Sequence, residues 1–317
     1  MGTRSRVSRR DEMLSCRGEN LFVREIVSDA PRAAGYALLV HGNTFPSLAD
    51  FDLPVEGRSL AEHVARSGLD CCIFDHRGYG RSYKPRSLGE VSLAEKVHDL
   101  EVVHSYLVER RRAASIHLLG LSTGCQTIAA FLGRAPQAVR SIVLMGPCYS
   151  MNAYMEKAMR RLWLGRMVNR MLGRPSDPYV SFSRRALSRR LLAGEEKLIG
   201  RDVFDAFVDA ALDGWPHGTG RLRSPVLGYP VPAGPVARGG AMYDVCNISL
   251  PVLVVRGERD EICCARTVEK LVGDLSTKDV ETVVVPDCKH DLHLYPEPGR
   301  IFDRIAAFLL SQGEAGP

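Results

Sequence analysis

Three residue types, in one order along this chain, can build an acyl-transfer site. Ser122 lies in Gly120-Leu121-Ser122-Thr123-Gly124. An apolar run, Ile116–Leu121, leads into that segment, and a helix-compatible run, Thr123–Gly133, leaves it. Gly-x-Ser-x-Gly between a strand and a helix is the pattern of a nucleophile elbow: a sharp turn that lifts the serine hydroxyl clear of a sheet. Gly120 and Gly124 keep side chains out of the tight packing, and the N–H of Thr123 then points to where an oxyanion would form. A serine hydroxyl is a poor nucleophile until a base takes its proton, and the base needs a carboxylate to orient it. Both follow downstream. Asp260 ends Arg256-Gly257-Glu258-Arg259-Asp260, just past the apolar run Val252–Arg256. His290 lies in Pro286-Asp287-Cys288-Lys289-His290-Asp291-Leu292-His293, just past Thr282–Val285. Ser122, Asp260 and His290 are therefore the expected nucleophile, orienting acid and base. Glu258 rivals Asp260, and His293 rivals His290. A metal held by His290 and His293 would find a third ligand only in Asp287 or Asp291, so neither metal nor cofactor is expected.

An oxyanion needs a second donor, and losing one such donor typically costs about 10²–10³ in rate. His41-Gly42-Asn43-Thr44 follows the apolar run Tyr36–Val40. Gly42 lets the backbone turn closely, which makes the N–H of Asn43 the candidate.

These residues need a scaffold that brings strand ends together. Apolar β-rich runs (Leu21–Val27, Tyr36–Val40, Asp70–Phe74, Ile116–Leu121, Ser141–Met145, Val252–Arg256, Thr282–Val285) alternate with helical runs (Ser59–Ser67, Ser92–Arg111, Thr123–Gly133, Arg266–Gly273, Pro298–Ser311). That alternation predicts an α/β fold with a mostly parallel, doubly wound central sheet. It breaks between Gly146 and Asn247, where no β-rich run stands out. Met151, Tyr154, Met155, Met159, Trp163 and Met167 recur there at helical spacing, with core packing as the default reading and an acyl pocket as the other. A Pro/Gly-rich stretch, Ser224–Gly240, follows. The expected division is a core of 1–146 and 247–317 with a mainly helical insertion at 147–246.

Composition is that of an ordinary globular protein, with 45% hydrophobic and 25% charged residues in 317. No apolar run is long enough to span a bilayer. Met1–Asp11 is basic without an apolar segment, so no secretory signal is read, and Arg6 fails the myristoylation pattern. The cysteines number nine, include the vicinal pairs Cys71-Cys72 and Cys263-Cys264, and show no C-x-x-C spacing. Reduced, buried thiols in a cytoplasmic protein are the expectation. Net charge is only +5, but residues 156–190 hold ten Lys/Arg against Glu156 and Asp177, and 195–213 then turn acidic. The basic stretch suits an anionic substrate or an acidic carrier. Without an aromatic platform or recognised motif it gives no support to nucleic-acid binding.

Taken together, His41-Gly42-Asn43, Asp75-His76-Arg77-Gly78-Tyr79-Gly80-Arg81-Ser82, Gly120-Leu121-Ser122-Thr123-Gly124, Gly257-Glu258-Arg259-Asp260 and His290 resemble, in order, the landmarks of the α/β-hydrolase superfamily. The resemblance runs from about Leu21 to Leu310. It implies that Asp75, Arg77 and Ser82 build a structural turn, and that the insertion at 147–246 is the superfamily's cap. Two positions depart from the family pattern: Cys125 stands where many relatives have a second glycine, and Cys288-Lys289 replaces the usual glycine before the histidine. Ser122 as nucleophile implies a serine hydrolase acting on an ester or thioester of a small-molecule acyl substrate, anionic or carrier-bound, with no membrane partner. The other reading is non-hydrolytic work on the same scaffold: carbon–carbon cleavage, acyl transfer or cyclisation.

Overall fold

A computed structural model of the chain describes residues 5–29, 35–87, 89–173, 177–192, 195–215, 220–225 and 239–312. In chain order the elements before the elbow are β1 (Val7–Cys16), β2 (Glu19–Ser28), β3 (Gly35–Val40), α1 (Ser47–Phe51), α2 (Leu60–Arg66), β4 (Asp70–Phe74), α3 (Leu93–Ser105) and β5 (Ser115–Leu121). After it come α4 (Thr123–Leu132), β6 (Val139–Met145), α5 (Ala153–Met171), β7 (Tyr179–Ser183), α6 (Arg184–Leu191), α7 (Glu196–Ile199), α8 (Arg201–Leu212) and β8 (Arg221–Pro225). The chain closes with β9 (Val252–Gly257), α9 (Ala265–Asp274), β10 (Val280–Val285) and α10 (Gly299–Ser311).

Eight strands form one sheet in the order β1-β2-β4-β3-β5-β6-β9-β10. From β4 to β10 every pairing is parallel, while β2 pairs antiparallel with β4 and β1 antiparallel with β2. Inner strands covered on both faces must be apolar throughout, and all of Asp70–Phe74 is buried, as is Ile116–Leu121. Successive side chains feed two cores: Leu39, Leu119 and Leu121 face α2, α8 and α10, whereas Leu38, Val40, Ile116 and Leu118 face α3, α4 and α9. Ser59 caps α2 through the N–H of Glu62 at 2.9 Å, and Ser92 caps α3 through that of Glu95 at 3.3 Å. The chain runs outward in opposite directions from β3, to β4 and to β5. The carboxyl ends of β3 and β5 therefore flank the switch point, where ligands settle in open α/β sheets.

All seven strands and five helices expected from the sequence are present. The structure adds β1, a ten-residue partner of β2 where a basic tail was expected. Its polarity suits a sheet edge. Arg9 pairs with Asp52 at 2.8 Å and with Glu62 at 2.6 Å.

Between β6 and β9 the described chain is mainly helical, but it also carries the antiparallel pair β7–β8, which the sequence did not suggest. Most of the Pro/Gly-rich stretch lies outside the described residues. Core packing holds for Met151 and Met155, which are buried against Met242. Met159 packs partly buried against them, but core packing fails farther along α5, where Trp163 is 62% exposed and Met167 42%. The basic stretch is partly neutralised, since Arg184 pairs with Asp205 and Asp209. No helix among the described residues is long and apolar enough to cross a membrane. None of the nine cysteines is in a disulfide.

Candidate active site

Ser122 sits between β5 and α4 with φ 56° and ψ −115°, a positive-φ conformation that costs a non-glycine residue strain and that clusters at active sites. The elbow is pinned by the N–H of Ser122 to the carbonyl of Met145 at 2.8 Å. A Cβ on Gly124 would lie 2.1 Å from the carbonyl oxygen of Val40, which explains that glycine by close approach. Cys125, in the place of a family glycine, fits without such a clash: its thiol is fully buried and points to the carbonyl of Gly120 at 3.2 Å.

Asp260 and His290 meet. Asp260 Oδ2 lies 2.8 Å from His290 Nδ1, and Oδ1 accepts the N–H groups of Ile262 and Cys263, both at 2.8 Å. Every lone pair of the carboxylate that faces protein is thus directed, and the pair fixes the imidazole with its proton on Nδ1. Burial opposes charge on His290, but the charge of Asp260, its hydrogen bond and the nearby Asp291 outweigh it and hold His290 above its ordinary value. Burial likewise raises Asp260, and His290 with the two backbone donors brings it below the usual carboxylate range. His290 Nε2 is buried without a partner among the described residues. The Ser122 hydroxyl lies 3.2 Å from Cys148 Sγ. Ser122, Cys148 and His290 line one pocket, with Asn43 and Thr123.

The rivals sit in other surroundings. Glu258 is exposed and accepts the N–H of Asp287 at 3.2 Å. His293 is buried beside Phe207 with neither ring nitrogen partnered, and burial pushes it down to about 4.

The loop after β3 is braced from several sides. His41 Nε2 accepts the N–H of His76 at 3.0 Å, so Nδ1 carries the proton and donates to the carbonyl of Gly42 at 2.7 Å. Burial keeps His41 neutral. The Gly42 N–H donates to Asp50 Oδ2 at 3.1 Å. The Tyr79 hydroxyl lies 2.7 Å from the Asn43 carbonyl oxygen and 2.8 Å from its carboxamide oxygen, which also accepts from Lys96 Nζ at 3.2 Å. The Asp75–Ser82 turn supports this loop: Asp75 receives Ser47 N–H at 2.8 Å and Arg81 N–H at 2.9 Å, and the Ser82 hydroxyl donates to the Asp75 carbonyl at 2.5 Å.

Three neighbours of the site carry no sequence motif. Gly146, just past β6 with φ +53°, would bring a Cβ within 2.9 Å of His290 Cε1, so the histidine packs where only glycine leaves room. Cys148, two residues on, borders the Ser122 hydroxyl. Both could have been found by asking which chain leaves the strand beside β5. The third is Glu195, nearly fully buried between α6 and α7. It takes Lys289 Nζ at 2.7 Å, the Arg259 guanidinium, and the Tyr295 hydroxyl at 3.2 Å. Arg259 and Lys289 each precede one member of the Asp260–His290 pair, so one carboxylate ties both loops to the inserted segment. Glu195→Gln is expected to lower stability by about 1–2 kcal/mol, a charged hydrogen-bond value discounted because both cations are partly solvated. A thermal melt beside kcat/KM checks this; an unchanged melting temperature contradicts the clamp.

The chain has known relatives in sequence and in fold. The family model for the alpha/beta hydrolase fold matches residues 38–296. The chain belongs to the α/β-hydrolase fold family. It is similar to a monoacylglycerol lipase of Mycolicibacterium smegmatis, 23% identical over 256 residues that span 80% of this chain and 82% of that protein. Among solved structures it resembles the monoacylglycerol lipase of Paleococcus ferrophilus (TM-score 0.62, 19% identity, 92% of this chain and 99% of that one). It also resembles E-2-(acetamidomethylene)succinate hydrolase (TM-score 0.64, 19% identity, 95% of this chain and 99% of that one). Structural likeness at these identities speaks for the fold, and function must be argued from the site.

Proposed function

We propose that this α/β-hydrolase is a serine hydrolase that cleaves an ester or thioester through an acyl-enzyme, with the 147–246 insertion as a cap over the pocket. The observation that carries the reading is the 2.8 Å Asp260–His290 pair, whose histidine lines the same pocket as a serine on a strained elbow. The similarity to a monoacylglycerol lipase favours a carboxylic ester.

In the reaction the Ser122 hydroxyl turns from Cys148 to His290 Nε2, a hydrogen bond that commonly tightens only with substrate present. His290 takes the proton as Oγ attacks the carbonyl carbon. Asp260 stabilises the imidazolium, and the N–H groups of Asn43 and Thr123 receive the oxyanion. Collapse breaks the bond to the alcohol or thiol, which leaves with the proton from His290. Water, deprotonated by His290, then attacks the acyl-enzyme, and the acid departs.

A pH profile tests the base. His290 must be neutral to act, so kcat/KM for p-nitrophenyl butyrate falls as pH drops through its pKa. Because Asp260 raises that pKa, the acid limb is expected above about 6.5, the ordinary histidine value. A rate flat down to pH 5 would rule out His290 as the base.

A further inference from the structure

We propose that the pocket is built for a short acyl group that ends in a carboxylate, received by Arg190 of α6 and the side-chain amide of Asn43. This rests on the acyl-enzyme reading above and narrows its substrate to half-esters of short dicarboxylic acids.

The polar lining comes first. Asn43 Nδ2, Asp50 Oδ1, Thr123 Oγ1 and His290 Nε2 are all buried, lack a hydrogen-bond partner among the described residues and belong to residues lining this one pocket. Buried polar groups are rarely left unpaired, so a cluster of them around a cavity marks where a ligand's oxygens belong. The orientation of Asn43 is fixed by chemistry: Lys96 can only donate, so the atom it touches is the carboxamide oxygen, and Nδ2 is the free donor. Lys96 is itself buried and pushed down to about 8, so at neutral pH it is still mostly the ammonium, which can only donate.

Arg190 supplies the charge. It stands in the basic stretch of the insertion, and its guanidinium reaches the pocket wall, donating to Thr44 Oγ1 at 3.2 Å and lying over the Phe45 ring at 5.6 Å. No carboxylate among the described residues pairs with it, whereas Arg184 on the same helix is taken up by Asp205 and Asp209. One hydrogen bond to a hydroxyl leaves most of its five donors for a ligand carboxylate.

Two acids border the pocket. Asp50 is buried, and that burial pushes its carboxyl well above the usual carboxylate range, which weakens its repulsion of an anion. Asp291 stands beside His290 and supports the charge that forms there. The described residues enclose about 160 Å³. That is small for a ligand pocket and suits a short acyl group.

The test compares ethyl hydrogen succinate with its neutral isostere ethyl 4-methylpentanoate, in wild type, Arg190→Met and Arg190→Lys, with Ser122→Ala as the control and succinate binding by calorimetry alongside. Wild type is expected to favour the half-ester in kcat/KM by roughly tenfold or more. Arg190→Met is expected to erase that ratio, Arg190→Lys to keep part of it, and succinate to bind wild type but not Arg190→Met. A wild-type preference for the neutral ester, or a ratio unmoved in Arg190→Met, overturns the subsite. So does wild type that neither cleaves the half-ester nor binds succinate. Turnover that survives in Ser122→Ala overturns the acyl-enzyme reading itself, which is how the two failures are told apart.

Discussion

Ser122→Ala is expected to reduce ester turnover by about 10⁶, the scale set by nucleophile removal in a serine protease. The whole machinery meets at this oxygen. The elbow strains its backbone, α4 begins directly after it, and the braced Asn43 loop faces it across the switch point. The residual rate would come from the oxyanion donors acting on water. The neighbouring thiol is no substitute: burial pushes Cys148 up to about 12, so almost none is thiolate at neutral pH. The check is kcat/KM for p-nitrophenyl butyrate in purified protein, with a thermal melt to show that the variant is folded. A variant keeping a tenth of the activity would exclude Ser122 as nucleophile.

Asp260→Asn is expected to cost about 10⁴, for a reason the local geometry dictates. Oδ1 of Asp260 is committed to the N–H groups of Ile262 and Cys263, so an asparagine there must keep its oxygen on that side. Its NH₂ then faces His290 Nδ1, which has to accept. The imidazole proton moves to Nε2, the position that must take the proton of Ser122. The acid limb should also shift to lower pH, because the charge that holds His290 up is gone while burial still pushes it down. A pH series of kcat/KM reads both effects. A loss of less than tenfold with an unmoved acid limb would mean Asp260 does not orient the base.

Much of this was legible in the chain because its chemistry is tied to periodicity. Strands buried on both faces must be apolar throughout, and that made β3–β6 and β9 readable, while β2 and the edge strand β10 showed through their β-branched and apolar runs. Ser122, Asp260 and His290 each follow one of them. What escaped notice lacked such a signature. β1 is an edge whose residues are mostly exposed, so VSRRDEMLSC reads as a tail until β2 pairs with it. β7 and β8 are five-residue strands rich in serine and arginine, held by each other and not by the main sheet. Helical spacing in α5 was a true signal with the wrong inference attached: Met155 turns inward, but Trp163, Leu164 and Met167 face outward. Gly146, Cys148 and Glu195 touch the site through adjacency of strand ends or across the fold, and no local pattern marks such a contact. Lys289, part of the Cys288-Lys289 departure, has its account in Glu195.

The measurement that bears most directly on the central claim is trapping the acyl-enzyme. The protein is mixed with p-nitrophenyl butyrate, quenched in acid during the burst, digested and mapped by mass spectrometry. The account predicts a butyryl group on the peptide carrying Ser122, and none in Ser122→Ala. A butyryl group on Cys148, or p-nitrophenol release with no acylated serine at any time, would contradict it.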